Sequence, residues 1–108
     1  MNEARQRRNR MATREMGMTG CAVVDREAHR VGTVSDVVYD DRTLEMRWAV
    51  VEYGLIHHRT LVPASKLYKS PDGSVVTTLD KHVITHAPRL HGDIPSTSEC
   101  QQYYGRDA

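Results

Sequence analysis

The sequence predicts a mainly β fold: a small β-barrel, closed or partly open, of about six antiparallel strands, with short helical segments at the C-terminal end. Three observations lead there. β-prone runs are short and closely spaced, turn chemistry separates them, and 108 residues leave room for one domain with one core.

Cys21-Ala22-Val23-Val24 is a short apolar run that ends in the turn-like Asp25-Arg26-Glu27-Ala28. Arg30 to Tyr39 is a long β-prone stretch carrying Val31, Thr33, Val34, Val37, Val38 and Tyr39. Its alternation is imperfect, since Val34 and Val38 fall out of phase with Val31, Thr33 and Val37. Gly32 offers a bend or bulge, which a small barrel needs in order to curl. After the turn Asp40-Asp41-Arg42-Thr43, Met46 to Tyr53 reads as a strand with Met46, Trp48 and Val50 on one face and Arg47, Ala49 and Val51 on the other. Gly54 breaks it. His58 to Val62 is the next strand, ended by Pro63, which has no N–H to donate.

Lys66 to Lys69 and Ser74 to Leu79 flank Ser70-Pro71-Asp72-Gly73. Proline presets φ and Gly73 tolerates a positive φ, so these runs form a hairpin. Asp80 stands as N-cap to a helical turn over Lys81–His86, and Pro88 disfavours helix at Ala87. Ser96-Thr97-Ser98-Glu99 has capping-box form. Cys100, Tyr103 and Tyr104 then share one face of a short helix, with Gly105 at its expected end.

Three regions follow: a flexible basic arm over 1–20, a barrel over 21–88 and a C-terminal extension with a short helix over 89–108. Net charge is +1, so no global field selects nucleic acid or an anionic surface. The charge is uneven, because residues 1–15 hold five arginines against two glutamates. Met11, Met16 and Met18 offer alternative starts. Two distant cysteines make neither a metal motif nor a disulfide framework, and no signal-peptide core is present, so a reducing cytoplasm is expected. No apolar run has the length of a membrane span.

Function is read against those limits. No nucleophile, base and orienting group fall together, so an enzyme is not expected. Of six histidines, His82 and His86 are four apart and would share a helix face; with His91 and Cys100 they are the only weak candidates for zinc. No Cys-x-x-Cys or His-Glu-x-x-His motif supports them, so neither metal nor other cofactor is expected. Trp48, Tyr53, Tyr103 and Tyr104 are candidate contacts for a protein partner, since large aromatics anchor interfaces. A small barrel hides its edges poorly, so a homodimer is expected. The alternative is an RNA- or ribosome-associated factor whose Arg5, Arg7, Arg8 and Arg10 meet phosphates.

From Val23 to Pro88 the chain resembles the PRC-barrel family. The resemblance is carried, in order, by Val31-Gly32-Thr33-Val34-Ser35-Asp36-Val37-Val38-Tyr39-Asp40, Trp48-Ala49-Val50-Val51-Glu52, Thr60-Leu61-Val62-Pro63-Ala64-Ser65, Asp72-Gly73-Ser74-Val75-Val76 and Val83 to Pro88. It implies a compact barrel of about six strands and a non-catalytic adaptor that docks against proteins, sometimes within an RNA-containing assembly. It also implies structural roles: Gly32 at a tight backbone turn, Asp36 holding backbone N–H groups and Pro63 at a strand end.

Overall fold

A computed structural model of the chain describes residues 17–90 and 97–105. Six strands form one sheet: β1 (Ala22–Val24), β2 (Arg30–Tyr39), β3 (Met46–Tyr53), β4 (His58–Pro63), β5 (Leu67–Lys69) and β6 (Val75–Thr77). A 3-10 turn at Ala64–Lys66 joins β4 to β5. Two helices follow, α1 (Lys81–Thr85) and α2 (Thr97–Tyr104). The strand order is β4-β3-β2-β1-β6-β5, and the sheet curls into a half-barrel.

One pairing departs from the antiparallel expectation. β6 runs parallel to β1, with Val23 opposite Val75 and Val24 opposite Val76. The β2–β3–β4 meander occupies one edge of β1. The chain then crosses through the 3-10 turn and the β5–β6 hairpin to reach the other edge, where β6 arrives in the same direction as β1. Parallel neighbours require such a long connection.

Three bulges curl the sheet. Val23 pairs with Gly32 and Val24 with Arg30, leaving Val31 over. Val34 pairs with Val51 and Asp36 with Val50, leaving Ser35 over, and the Ser35 hydroxyl donates to the Val50 carbonyl at 3.4 Å. Arg47 is left over on β3, between the pairs Val38–Trp48 and Tyr39–Met46. An extra residue shifts the side-chain phase by one. This accounts for the broken alternation of β2, whose buried valines are Val31, Val34 and Val37, three apart rather than two.

β3 also departs from simple alternation, because Trp48, Ala49, Val50 and Val51 are all buried. It lies between β2 and β4, and both of its faces are covered. The core joins these residues to Val23, Val34, Leu61, Val62, Val75, Ile84, Cys100 and Tyr104. Helix α2 thus closes over the sheet, with the Tyr104 and Trp48 ring centroids 6.3 Å apart.

Gly32 marks the tightest approach. A Cβ at this position would lie 2.2 Å from the Glu52 carbonyl oxygen and 3.1 Å from Tyr53 Cβ. Gly73 is glycine for a different reason: its φ is +94°, and no atom crowds it. There Ser70 N–H donates to the Ser74 carbonyl, closing the expected β5–β6 hairpin, and Asp72 Oδ1 accepts from Ser74 N–H at 2.9 Å.

Asp25 joins the β1–β2 turn to α1. Its Oδ1 accepts the N–H groups of Glu27 (3.0 Å) and His29 (2.8 Å). Its Oδ2 accepts Lys81 N–H at 3.3 Å and His29 Nδ1–H at 3.1 Å. Asp80 holds the N-cap position with extended backbone but makes no side-chain capping bond. The capping oxygen therefore comes from a turn 56 residues away in sequence. Burial pushes the Asp25 carboxyl up, and the bonds from His29, Lys81 and Glu27 outweigh it, so its pKa lies below the usual 3.8.

Gly32→Ala is expected to cost upward of about 2 kcal/mol, because backbone must move, and Gly73→Ala about 1 kcal/mol. Urea unfolding of both variants checks the order; a larger loss at Gly73 would refute the account of the curl. A depressed carboxylate pKa contributes stability that is complete above pH 3.8 and is lost as pH falls through the folded value. The urea midpoint should therefore drop on acidification below that point. Among Asp25→Asn, Asp40→Asn and Asp72→Asn, the first should lower the neutral-pH midpoint most, since Asp25 ties two segments 56 residues apart whereas Asp40 and Asp72 bond only within seven residues of themselves.

Candidate docking surfaces

Hydrogen bonds and packing first decide which polar and aromatic groups are available. Trp48 is 8% exposed, Tyr53 9% and Tyr104 2%. The Tyr53 hydroxyl donates to the Thr85 carbonyl at 3.1 Å, joining β3 to α1. The Tyr103 hydroxyl donates to the Val83 carbonyl at 2.6 Å, joining α2 to α1. Tyr103 and Tyr104 meet edge to face, 5.0 Å apart. The four aromatic candidates for partner contact are thus engaged in packing the sheet to its two helices. Among the described residues, the large apolar side chains left outside are Leu44, Leu55, Ile56 and Tyr68.

These four lie in turns or on the short β5. Leu44 sits in the β2–β3 turn with φ +61°. Leu55 and Ile56 form the tip of the β3–β4 hairpin between Gly54 (φ +82°) and His57 (φ +53°). Tyr68 projects from β5, an end strand of the sheet. The opposite end strand, β4, is covered: Thr60 bridges to Arg89, Leu90 N–H donates to the Arg59 carbonyl at 2.8 Å, and the buried Thr60 hydroxyl donates to the Pro88 carbonyl at 2.6 Å. Pro88 therefore ends α1's neighbourhood and lends its carbonyl to β4. Pro63 closes β4 opposite Trp48 and opens the 3-10 turn with φ −60°. Asp36, beside the Ser35 bulge, accepts the Val37 N–H at 2.8 Å.

The histidines do not assemble a metal centre among the described residues. His82 on α1 and His86 at its C-cap have ring centroids 6.0 Å apart, and His86 Nδ1–H donates to the His82 carbonyl at 2.8 Å. His91 lies outside the described residues. Cys100 is buried against the Pro88 carbonyl, and burial pushes its thiol pKa up, so it packs as a small apolar group. Cys21 Sγ–H donates to the Gly17 carbonyl at 3.1 Å. Arg5, Arg7, Arg8 and Arg10 also lie outside the described residues. No helix among the described residues is long and apolar enough to cross a membrane.

Two shallow clefts flank the packed interior. One, of about 320 Å³, lies where Arg47, Trp48, Pro63, Gln101 and Tyr104 converge. The other, of about 390 Å³, opens between the start of β2, the end of β3 and Lys81. Neither holds a convergent set of ionisable groups around a nucleophile.

The fold is thus a bulged six-strand curl with Gly32 pressed against β3 and a 3-10 turn after β4. The family model for the PRC-barrel domain matches residues 18–84. This chain belongs to the PRC-barrel family. No curated protein matches it. The PRC-barrel match stops within α1, so α2 and its contacts with Trp48 and Val83 lie beyond it. The sequence offers no direct signal for Asp25 or for the Leu55–Ile56 tip: the carboxylate's partners are distant, and two aliphatics beside a strand look like core.

The Tyr104 hydroxyl is buried with no hydrogen-bond partner among the described residues, and burial raises its pKa far above the ordinary phenol range. Tyr104→Phe should therefore be neutral or stabilising, since an unpaired buried hydroxyl is removed. Tyr103→Phe should cost about 0.5–1.5 kcal/mol through the lost bond to Val83. Chemical denaturation of the pair measures this, and a larger loss from Tyr104→Phe would contradict the packing described.

Proposed function

We propose that this PRC-barrel protein is a non-catalytic adaptor that docks a protein partner on its outer surface and pairs with a second copy along β5. The observation that carries the reading is the contrast between a filled interior and large apolar side chains left outside. Leu61, Ile84, Val23, Val34, Val51, Val62 and Val75 are completely enclosed, so the described interior is filled and only shallow clefts remain at its margins. Tyr68 is exposed on an end strand that no other described segment pairs, whereas β4 is covered by Arg89 and Leu90.

An unpaired strand edge is a ready template for another strand, and a two-fold pairing of identical edges closes the assembly. β5 is only three residues long, so the edge alone is a weak interface and Tyr68 must contribute burial. The free thiols Cys21 and Cys100 fit a module working in the cytoplasm.

Capture on immobilised full-length protein from native lysate, with and without nuclease, tests the adaptor role. Nuclease-resistant capture supports it; capture lost on nuclease treatment replaces it with nucleic-acid binding by the arginine-rich arm. Light scattering across a concentration series tests self-association. A dimer that Tyr68→Glu converts to monomer is expected, and a wild-type monomer at every concentration refutes the β5 pairing.

A further inference from the structure

We propose that the β3–β4 hairpin is a membrane-contact tip that inserts Leu55 and Ile56 into an anionic lipid surface while the adjacent cleft receives a lipid phosphate. Leu55 is 100% exposed and Ile56 73%, the most exposed large apolar side chains among the described residues. They sit side by side at the apex of a hairpin. His57, a non-glycine residue at φ +53°, is held there by its N–H to the Gly54 carbonyl (3.2 Å) and by Nδ1–H to Glu52 Oε1 (2.7 Å). A left-handed backbone fixed by two bonds keeps the pair pointing outward instead of folding onto the sheet.

The residues that bracket the tip, Gly54 and His57, also line the 390 Å³ cleft. Arg30 and Lys81 line it as well, and both are exposed. Two cations therefore line the cleft behind two aliphatics, and the Glu52 carboxylate on the same wall is hydrogen-bonded to His57.

This arrangement fits a bilayer better than a protein. The tip is convex, and a lipid surface accepts a convex apolar pair without needing a matching pocket. Two side chains fall well short of the roughly 800 Å² that each partner contributes to a stable protein interface. A lipid interface instead combines modest apolar insertion with attraction of nearby Lys and Arg to anionic headgroups. The surface lies on the β3–β4 hairpin rather than on β5, so it is independent of the pairing proposed above.

Co-sedimentation of the full chain with phosphatidylcholine vesicles, and with vesicles about a third phosphatidylglycerol, tests the proposal. The wild type should bind the anionic vesicles and not the neutral ones. Leu55→Ser with Ile56→Ser, and separately Arg30→Gln with Lys81→Gln, should each lower binding roughly tenfold. All four positions are exposed, and unchanged urea midpoints establish that both variants fold. The arginine-rich arm is present in every protein, so a loss reports on the tip. Absence of wild-type binding, or binding that survives Leu55→Ser with Ile56→Ser, overturns the proposal. So does a wild type that ignores vesicles while the same variant loses self-association in light scattering, which would assign the tip to a second copy.

Discussion

The passage of β2 across β3 at Gly32 is the constraint on which the rest of the molecule depends. A side chain there would collide with the Glu52 carbonyl, so only glycine lets the two backbones approach. The extra residue Val31 sits beside it, and Ser35 adds another four residues on. Each extra residue bends and twists the strand. Without them a ten-residue strand would twist but bend less, and its side chains would alternate strictly between faces. With them Val31, Val34 and Val37 all turn inward, and the sheet closes around one core.

That closure limits what the domain can do. A sheet of six strands this short, once curled, has an interior just wide enough for its own side chains. Val23, Val34, Val51, Leu61 and Val75 fill it. Chemistry and recognition are thereby pushed to the rim: the turns, the end strands and the shallow clefts. The three described non-glycine residues with positive φ, Ala28, Leu44 and His57, all sit in rim turns. In two of those three turns large aliphatics are exposed. The strain and the exposed apolar surface thus coincide, and the rim is where a functional account has to look.

Much of the fold was legible in the sequence because its signals are local. β2 and β3 match their expected bounds, and Pro71-Asp72-Gly73 marks its hairpin, since propensity and turn chemistry act over a few residues. The parallel β1–β6 pairing was not legible, because nothing in Val23 or Val75 records which edge of a strand its partner will take. Nor was the exchange of capping roles between Asp80 and Asp25: the first has the right position, but the second has the right geometry, and only the fold brings it to Lys81 N–H. Trp48, Tyr53 and Tyr104 illustrate the same limit at the candidate site. An aromatic residue serves a core and an interface equally well, so composition alone cannot place it.

The C-terminal helix explains why those aromatics are unavailable. α2 has eight residues, too few for stability as an isolated helix, so its order must come from docking. Cys100 and Tyr104 supply the buried stripe, Trp48 receives it, and the Tyr103 hydroxyl fixes the helix to α1 through the Val83 carbonyl. The PRC-barrel match ends before α2, so this chain covers part of its own sheet with a segment outside the matched domain. A surface that the barrel would otherwise offer through Trp48 is occupied from within. Recognition by this protein therefore shifts away from the sheet face toward the uncovered β5 and the Leu55–Ile56 hairpin, which α2 leaves exposed.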